Sequence, residues 1–128
     1  MKKIVCVFIF NSSDEMLLQL RAATEKSYPL YWDFSASGAV EKKDNSIDDA
    51  AKRELKEELG ITPRLISIGQ DQYKNEKLYL YTGTYSEPCS PGPEVEDTKF
   101  ASIEVIKKMI DAKENFHPEF IYMFNKLY

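Results

Sequence analysis

The sequence predicts an α/β fold in which a mixed β-sheet lies between helices. Two observations carry this prediction. Strand-like runs such as Ile4–Phe10 and Lys77–Tyr85 flank one amphipathic helix at residues 47–59, and a second amphipathic segment, 118–127, follows them. With 128 residues, of which 43% are hydrophobic, we expect one domain, residues 1–128, with its own core.

The first third of the chain is expected to form three strands. Ile4–Phe10 is rich in β-branched and aromatic residues and predicts a buried strand. Met16–Leu20 follows the polar turn Asn11–Asp14 and should be its hairpin partner. Trp32–Ser35 predicts a short third strand, and most of the aromatic residues around it are expected in the core.

The central helix carries start and stop signals. Ser46 with Asp49 predicts a capping box, and Gly60 predicts the helix end. One face is apolar and is expected to pack on the core, which would turn the acidic face outward. The apolar positions are Ile47, Ala51, Leu55 and Leu59.

The second half of the chain alternates strands with turn-rich segments and ends in helices. We expect strands at Arg64–Gly69, Lys77–Tyr85 and from Ala101, a loop at Ser86–Pro93, and helices capped by Ser102 and at Pro118–Leu127. The last helix should bury a stripe formed by Phe120, Ile121, Phe124 and Leu127. His117, the only histidine, is expected to cap that helix or to be exposed.

Charge and cysteine content exclude several classes of protein. The net charge of −4 argues against extended nucleic acid as a partner. The apolar run Ile4–Phe10 is far shorter than the ~20 residues that cross a bilayer, and no cleavage site follows it. The two cysteines form no CxxC pair, which favours a reduced, cytoplasmic setting. Cys6 is expected in the core, and Cys89 is expected to be incidental.

Three carboxylates cluster on the central helix. Glu54, Glu57 and Glu58 lie within five residues, and positions three and four apart share a face. Such crowding is unfavourable unless a positive group lies there, and Arg53 can pair with Glu57. The alternative is a solvated helix of mixed charge, since lysines are interspersed.

The span from Gly38 to Ile61 resembles the Nudix box, Gly-x5-Glu-x7-Arg-Glu-U-x-Glu-Glu-x-Gly-U, where U is aliphatic. The second half matches fully, at Arg53, Glu54, Leu55, Glu57, Glu58, Gly60 and Ile61. The first half departs from the pattern, because fourteen residues separate Gly38 from Arg53 instead of thirteen. Asp44 or Asn45 stands at the first glutamate, which in the family braces the loop against the helix. Asp44 is expected to replace it in part.

The resemblance implies an α/β/α sandwich and hydrolysis of a diphosphate bond with Mg²⁺ or Mn²⁺, cations that prefer hard oxygen ligands. The metal would be held by Glu54, Glu57 and Glu58 and by the loop of Ser37 and Gly38. The catalytic residues implied are Glu57, Glu58 and Arg53. Glu57 would be a further ligand or the base, and Arg53 would orient a glutamate.

Two further groups of residues are candidates for the site. Arg21 and Lys26 could reach ligand phosphates, against the alternative of ordinary solvation. An acidic residue before a late strand supplies a further ligand or the base in many Nudix enzymes. The candidates here are Glu94, Glu96 and Asp97, and the alternative is a solvent-exposed acidic loop.

The expected function is therefore a Nudix pyrophosphohydrolase, whose partner is a small-molecule diphosphate: a nucleoside diphosphate linked to another group. Leu17–Val40 also resembles the isopentenyl-diphosphate isomerase branch, although neither cysteine lies in that branch's Cys-rich, His-containing motif. A non-catalytic nucleotide-binding module is the third alternative. Dimers are common in the family, so a homodimer is one expected state.

Overall fold

The computed structural model describes residues 1–128 and contains seven strands and three helices. The strands are β1 Lys2–Phe10, β2 Met16–Arg21, β3 Trp32–Asp33, β4 Ala36–Ala39, β5 Ile66–Tyr73, β6 Glu76–Thr84 and β7 Val95–Ala101. The helices are α1 Ile47–Leu59, α2 Ile103–Asp111 and α3 Pro118–Leu127. No helix combines the length and the hydropathy that a membrane span requires.

Strand β1 is the centre of a mixed sheet, because its side chains are apolar on both faces. It pairs in parallel with β6, from Lys2 opposite Glu76 to Phe10 opposite Thr84. On its other edge it pairs antiparallel with β4 and, through Phe10 opposite Met16, with β2. Strand β2 in turn pairs with β3 and β7, and β5 forms the edge beyond β6.

The sheet separates two apolar cores. Val5, Val7 and Ile9 of β1 pack with α1 on one face, as alternation along a strand requires. Ile4, Cys6 and Phe8 face the other core, which also holds the buried side chains of α2 and α3, namely Ile106, Met109, Phe120, Met123 and Phe124. This arrangement confirms the predicted mixed sheet between helices.

Three predicted elements differ from the structure. Residues 36–39, which include the expected loop of Ser37 and Gly38, form strand β4, which pairs with β1 in the sheet and packs against α1. The acidic segment 95–101, expected as a loop before a strand, is itself β7, paired along β2. Strand β5 continues to Tyr73, so a tight turn joins it to β6 where a longer connection was predicted.

The prediction of the apolar stripe of α3 was partly wrong. Phe120, Met123 and Phe124 are buried, whereas Leu127 is 40% exposed. At this end of the helix the ring that packs against Phe8 is that of Tyr128, the residue after Leu127.

Candidate active site

Helix α1 is fixed at both ends as predicted. The Ser46 hydroxyl accepts a hydrogen bond from the Asp49 backbone N–H at 3.0 Å. Gly60 ends the helix in the left-handed conformation, with a φ of 68°, and its N–H donates to the Lys56 carbonyl. Ala51 and Leu55 are buried against the sheet, which sets the rotation of the helix about its axis.

That rotation overturns one prediction. Two of the three glutamates do not face outward, because Glu54 and Glu58 are only 7% and 4% exposed. The small residues of β4 leave room for their carboxylates under the helix. A side chain at Gly38 would collide with the Glu54 carboxylate, which would then have to leave its position beside Arg53. Glu57 remains at the surface.

Arg53 connects the helix acids to the preceding loop. Its Nη1 donates to Glu54 at 2.8 Å and to Glu57 at 3.2 Å, so the predicted pair with Glu57 is present. Its Nη2 donates to the carbonyl of Ala39, at the end of β4. The other side of the guanidinium binds Asp44, which therefore braces the loop in place of the missing glutamate.

Glu58 lies in a different environment from its neighbours. Its Oε1 accepts a hydrogen bond from the Gln19 amide at 2.7 Å and a long one from the Ser37 N–H at 3.4 Å. Burial, and then the facing carboxyl of Glu54, raise the pKa of Glu58 well above its ordinary value.

Gln19 was missed by the sequence analysis. It lies in the apolar strand β2 and is 4% exposed. The sequence does contain an indication of this role, because Gln19 is a polar residue within the apolar strand Met16–Leu20, at a position where the alternation of side chains turns it toward the core. A buried amide requires hydrogen-bond partners, and such a position therefore indicates a polar site nearby.

The loop 86–93 closes the end of α1. The N–H groups of Ser90 and Gly92 donate to the carbonyls of Leu59 and Glu58, both at 2.9 Å. These bonds satisfy carbonyls that the helix leaves without partners. They also bring Glu94 beside the acids of the helix.

Among the three acidic candidates in residues 94–97, Glu94 is the one that approaches the acids of α1. Its pKa is raised by partial burial and then by the negative charges of Glu54, Glu25 and Glu57. Glu25 was not foreseen, because it lies in a loop far along the sequence. Glu96 and Asp97 instead accept hydrogen bonds from backbone N–H groups, those of residues 23 and 98 respectively.

Of the two basic candidates, Arg21 is the last residue of β2, and Lys26 lies in the loop between β2 and β3. The Arg21 guanidinium is held within the protein, by Asp33 at 3.2 Å and by the Ser27 carbonyl at 3.1 Å. Lys26 is exposed and forms no ion pair. Contact of either side chain with a phosphate stays a prediction.

A cavity of about 390 Å³ opens at the start of α3. Tyr28 and His117 form part of its wall, with their ring centroids 4.5 Å apart. His117 also caps α3, since its Nδ1 accepts from the Glu119 N–H at 3.2 Å. Glu119 and Glu76 add two facing carboxyls, and burial with the charge of Glu76 raises the pKa of Glu119 to about 8.

Asp33 is buried, and its charge is among the smaller causes that raise the pKa of Glu58 and of Glu119. None of the acids of α1 lines the cavity at the start of α3.

The donor set of the cluster fits a hard divalent cation. Glu54 and Glu58 present carboxylate oxygens to each other in a buried place, and only one guanidinium balances them. No three His, Cys, Asp or Glu side chains form a ready metal cage. A cation held there would therefore also need water or substrate oxygens as ligands.

The chain is similar to several known proteins. It is 46% identical over 59 residues to the uncharacterized Nudix hydrolase lin0387 of Listeria innocua, a match that covers 46% of this chain and 34% of that protein. It is 30% identical to isopentenyl-diphosphate Delta-isomerase II of Camptotheca acuminata, over 81% of this chain and 41% of that protein. The chain thus spans a third to two fifths of the length of these curated relatives.

Among solved structures, DR0079 from Deinococcus radiodurans superposes with a TM-score of 0.90 at 18% identity, over 99% of this chain and 83% of that one. This likeness shows the fold. The profile of the NUDIX domain matches residues 2–124, nearly the whole chain. The protein therefore belongs to the Nudix family.

Proposed function

We propose that this protein hydrolyses the diphosphate bond of a nucleoside diphosphate linked to another group. The observation that carries this proposal is the arrangement of Glu54, Glu57 and Glu58 around Arg53. One arginine fixes two carboxylates, and the third is buried opposite them. So many carboxylates would repel an anionic substrate unless a cation were bound between the carboxylates and the substrate.

The residues that would hold Mg²⁺ or Mn²⁺ are Glu54 and Glu58, with Glu57 and the Ser37–Gly38 backbone as further candidates. A bound cation would neutralise phosphate charge and polarise the bond to be broken. Glu54 suits this role because Arg53 fixes its carboxylate beside Gly38. The buried position of Glu58 excludes water from one side of the site.

The reaction transfers a phosphoryl group to water. A new bond forms between the water oxygen and phosphorus, and the bond from that phosphorus to the bridging oxygen breaks. The water proton passes to a carboxylate, and the second phosphate leaves with the electron pair. Glu57 and Glu94 are the candidate bases, because both are exposed beside Glu54.

The nucleoside part of the substrate is assigned, within this proposal, to the cavity at the start of α3. Its volume of about 390 Å³ lies within the ~300–1,000 Å³ typical of small-molecule sites. The rings of Tyr28, Tyr73 and His117 supply flat apolar surfaces for a base. The carboxyls of Glu76 and Glu119 supply polar groups at its edge.

The isomerase alternative draws on the similarity to isopentenyl-diphosphate isomerases, but the cysteines do not support it. Cys6 is wholly buried in the core, and burial raises the pKa of its thiol. Cys89 lies in the loop at the end of α1, and burial raises its pKa as well. Neither is the low-pKa thiol that cysteine chemistry requires.

The test is hydrolysis of nucleoside triphosphates, nucleotide sugars, ADP-ribose, dinucleoside polyphosphates and isopentenyl diphosphate, with Mg²⁺ or Mn²⁺, followed by ion-exchange chromatography of the phosphorylated products. Glu58→Gln is the test variant, and Glu104→Gln, an exposed acid on α2, is the matched control. NMR of isopentenyl diphosphate reports isomerisation in the same samples.

Turnover of one substrate class that falls at least about a hundredfold in Glu58→Gln and not in Glu104→Gln would support the hydrolase. Migration of the double bond of isopentenyl diphosphate without phosphate release would contradict the hydrolase proposal and support the isomerase. Nucleotide binding without either reaction would favour the non-catalytic module. The cytoplasmic location and the homodimer stay predictions, which cell fractionation and light scattering can test.

A further inference from the structure

We propose that Gln19 is a positioning residue, which selects the oxygen of Glu58 that faces the metal and substrate. The inference rests on the proposed function of this site. It concerns a residue of β2, on the sheet rather than on the helix that carries the Nudix motif.

The Gln19 amide is anchored rigidly. Its Nε2 donates to the Ser35 carbonyl at 3.0 Å as well as to Glu58 at 2.7 Å. Ser35 is itself fixed between two strands, because its hydroxyl donates to the Leu17 carbonyl at 2.6 Å and accepts from the Ile9 N–H at 2.9 Å. Gln19 therefore presents its second hydrogen to Glu58 from a position that the sheet determines.

This bond distinguishes the two oxygens of Glu58. Oε1 accepts from Gln19 and, more weakly, from the Ser37 N–H. Oε2 is thereby left as the oxygen available to a ligand. A neutral amide achieves this without cancelling the negative charge, whereas a lysine or arginine here would compete with a cation. The chemistry of glutamine thus fits a positioning role.

The alternative is that Gln19 only satisfies a buried carboxylate and contributes to stability. A double-mutant cycle separates the two roles. We would measure Mn²⁺ affinity by electron paramagnetic resonance for the wild type, Gln19→Met, Glu58→Gln and the double variant, together with thermal unfolding. Methionine has a shape similar to glutamine but donates no hydrogen bond.

We expect Gln19→Met to weaken Mn²⁺ binding by about 10- to 100-fold, as is usual for residues that orient a ligand. The same change in the Glu58→Gln background should have little effect, because Gln19 acts through that carboxylate. In steady-state assays kcat should fall more than KM rises.

Leu18→Ala is the control for lost stability. Leu18 is fully buried on the opposite face of β2, so its truncation should lower the melting temperature without changing Mn²⁺ affinity. Unchanged affinity in Gln19→Met, or an equal loss in the Glu58→Gln background, would overturn the positioning role while leaving the hydrolase intact. A wild type that binds no Mn²⁺ would overturn both proposals.

Discussion

The guanidinium of Arg53 holds the carboxylate of Asp44 through two parallel hydrogen bonds, from Nε to Oδ1 at 2.7 Å and from Nη2 to Oδ2 at 2.9 Å. Asp44 Oδ2 also accepts from the Glu41 N–H at 2.8 Å. The shorter side chain thus reaches the arginine because the loop folds back on itself at residues 41–44. This fork geometry is the strongest form of the arginine–carboxylate pair.

Replacement of Asp44 by asparagine should make the protein less stable in a pH-dependent manner. Hydrogen bonds from Arg53 lower the pKa of Asp44 to about 2 from an ordinary value of 3.8. A lowered folded-state pKa gives stability that is present above the ordinary value and is lost as the pH falls through about 2. The gap in urea stability between wild type and Asp44→Asn should therefore narrow below about pH 4. A gap that stays constant down to about pH 2.5 would contradict this.

Arg53→Lys should reduce turnover by about a hundredfold although it keeps the charge. A lysine cannot form two parallel hydrogen bonds with Asp44 and reach Glu54 and Glu57 at the same time. The carboxylates of Glu54 and Glu57 would therefore lose their orientation. Steady-state kinetics checks this, with Arg64→Lys as the control because Arg64 is exposed and forms no ion pair. Equal loss in both variants would point to a general effect of the substitution.

Glu94→Gln should lower kcat by about a hundredfold, the usual scale of general-base catalysis, whereas Asp97→Asn should change it less than about twofold. The reason is position, since Glu94 lies beside Glu54 and Glu57 and Asp97 binds the backbone of its own strand. Single-turnover measurements at saturating substrate distinguish this step from binding. Unchanged kcat in Glu94→Gln would leave Glu57 as the base.

Glu119→Gln should stabilise the protein at alkaline pH. The folded-state pKa of about 8 lies above the ordinary 4.5, so the folded protein keeps a proton that the unfolded chain releases. Stability of the wild type should therefore fall as the pH rises from about 4.5 to about 8, and then level off. The variant should lack this fall.

Urea unfolding at about pH 4 and about pH 8.5 measures the difference, with Glu114→Gln as the exposed control. Glu76→Gln should reduce this fall without abolishing it, because it removes the charge of Glu76 whereas burial, the larger cause of the raised pKa of Glu119, remains. A wild-type stability that is flat over this range would contradict the shifted pKa.

Much of the architecture was predictable from local pattern. Helix α3 begins at Pro118 and ends at Leu127 as predicted, since a proline start and regular apolar spacing are local signals. Helix α1 likewise followed from Ser46 and Gly60. The segments predicted wrongly, β4 and β7, are strands whose partners lie far along the chain, and their own residues carry little β preference.

The sequence by itself determined the family, the central helix and the identity of its acids, because helix periodicity places Glu54, Glu57 and Glu58 together. Only the tertiary structure decided which of them are buried, that Asp44 rather than Asn45 binds Arg53, and that Gln19 and Glu94 join the site. These relationships depend on how β2, β4 and the loop at residues 86–93 pack against α1. Contacts between distant segments follow from the packing of the whole chain, which no local pattern of residues encodes.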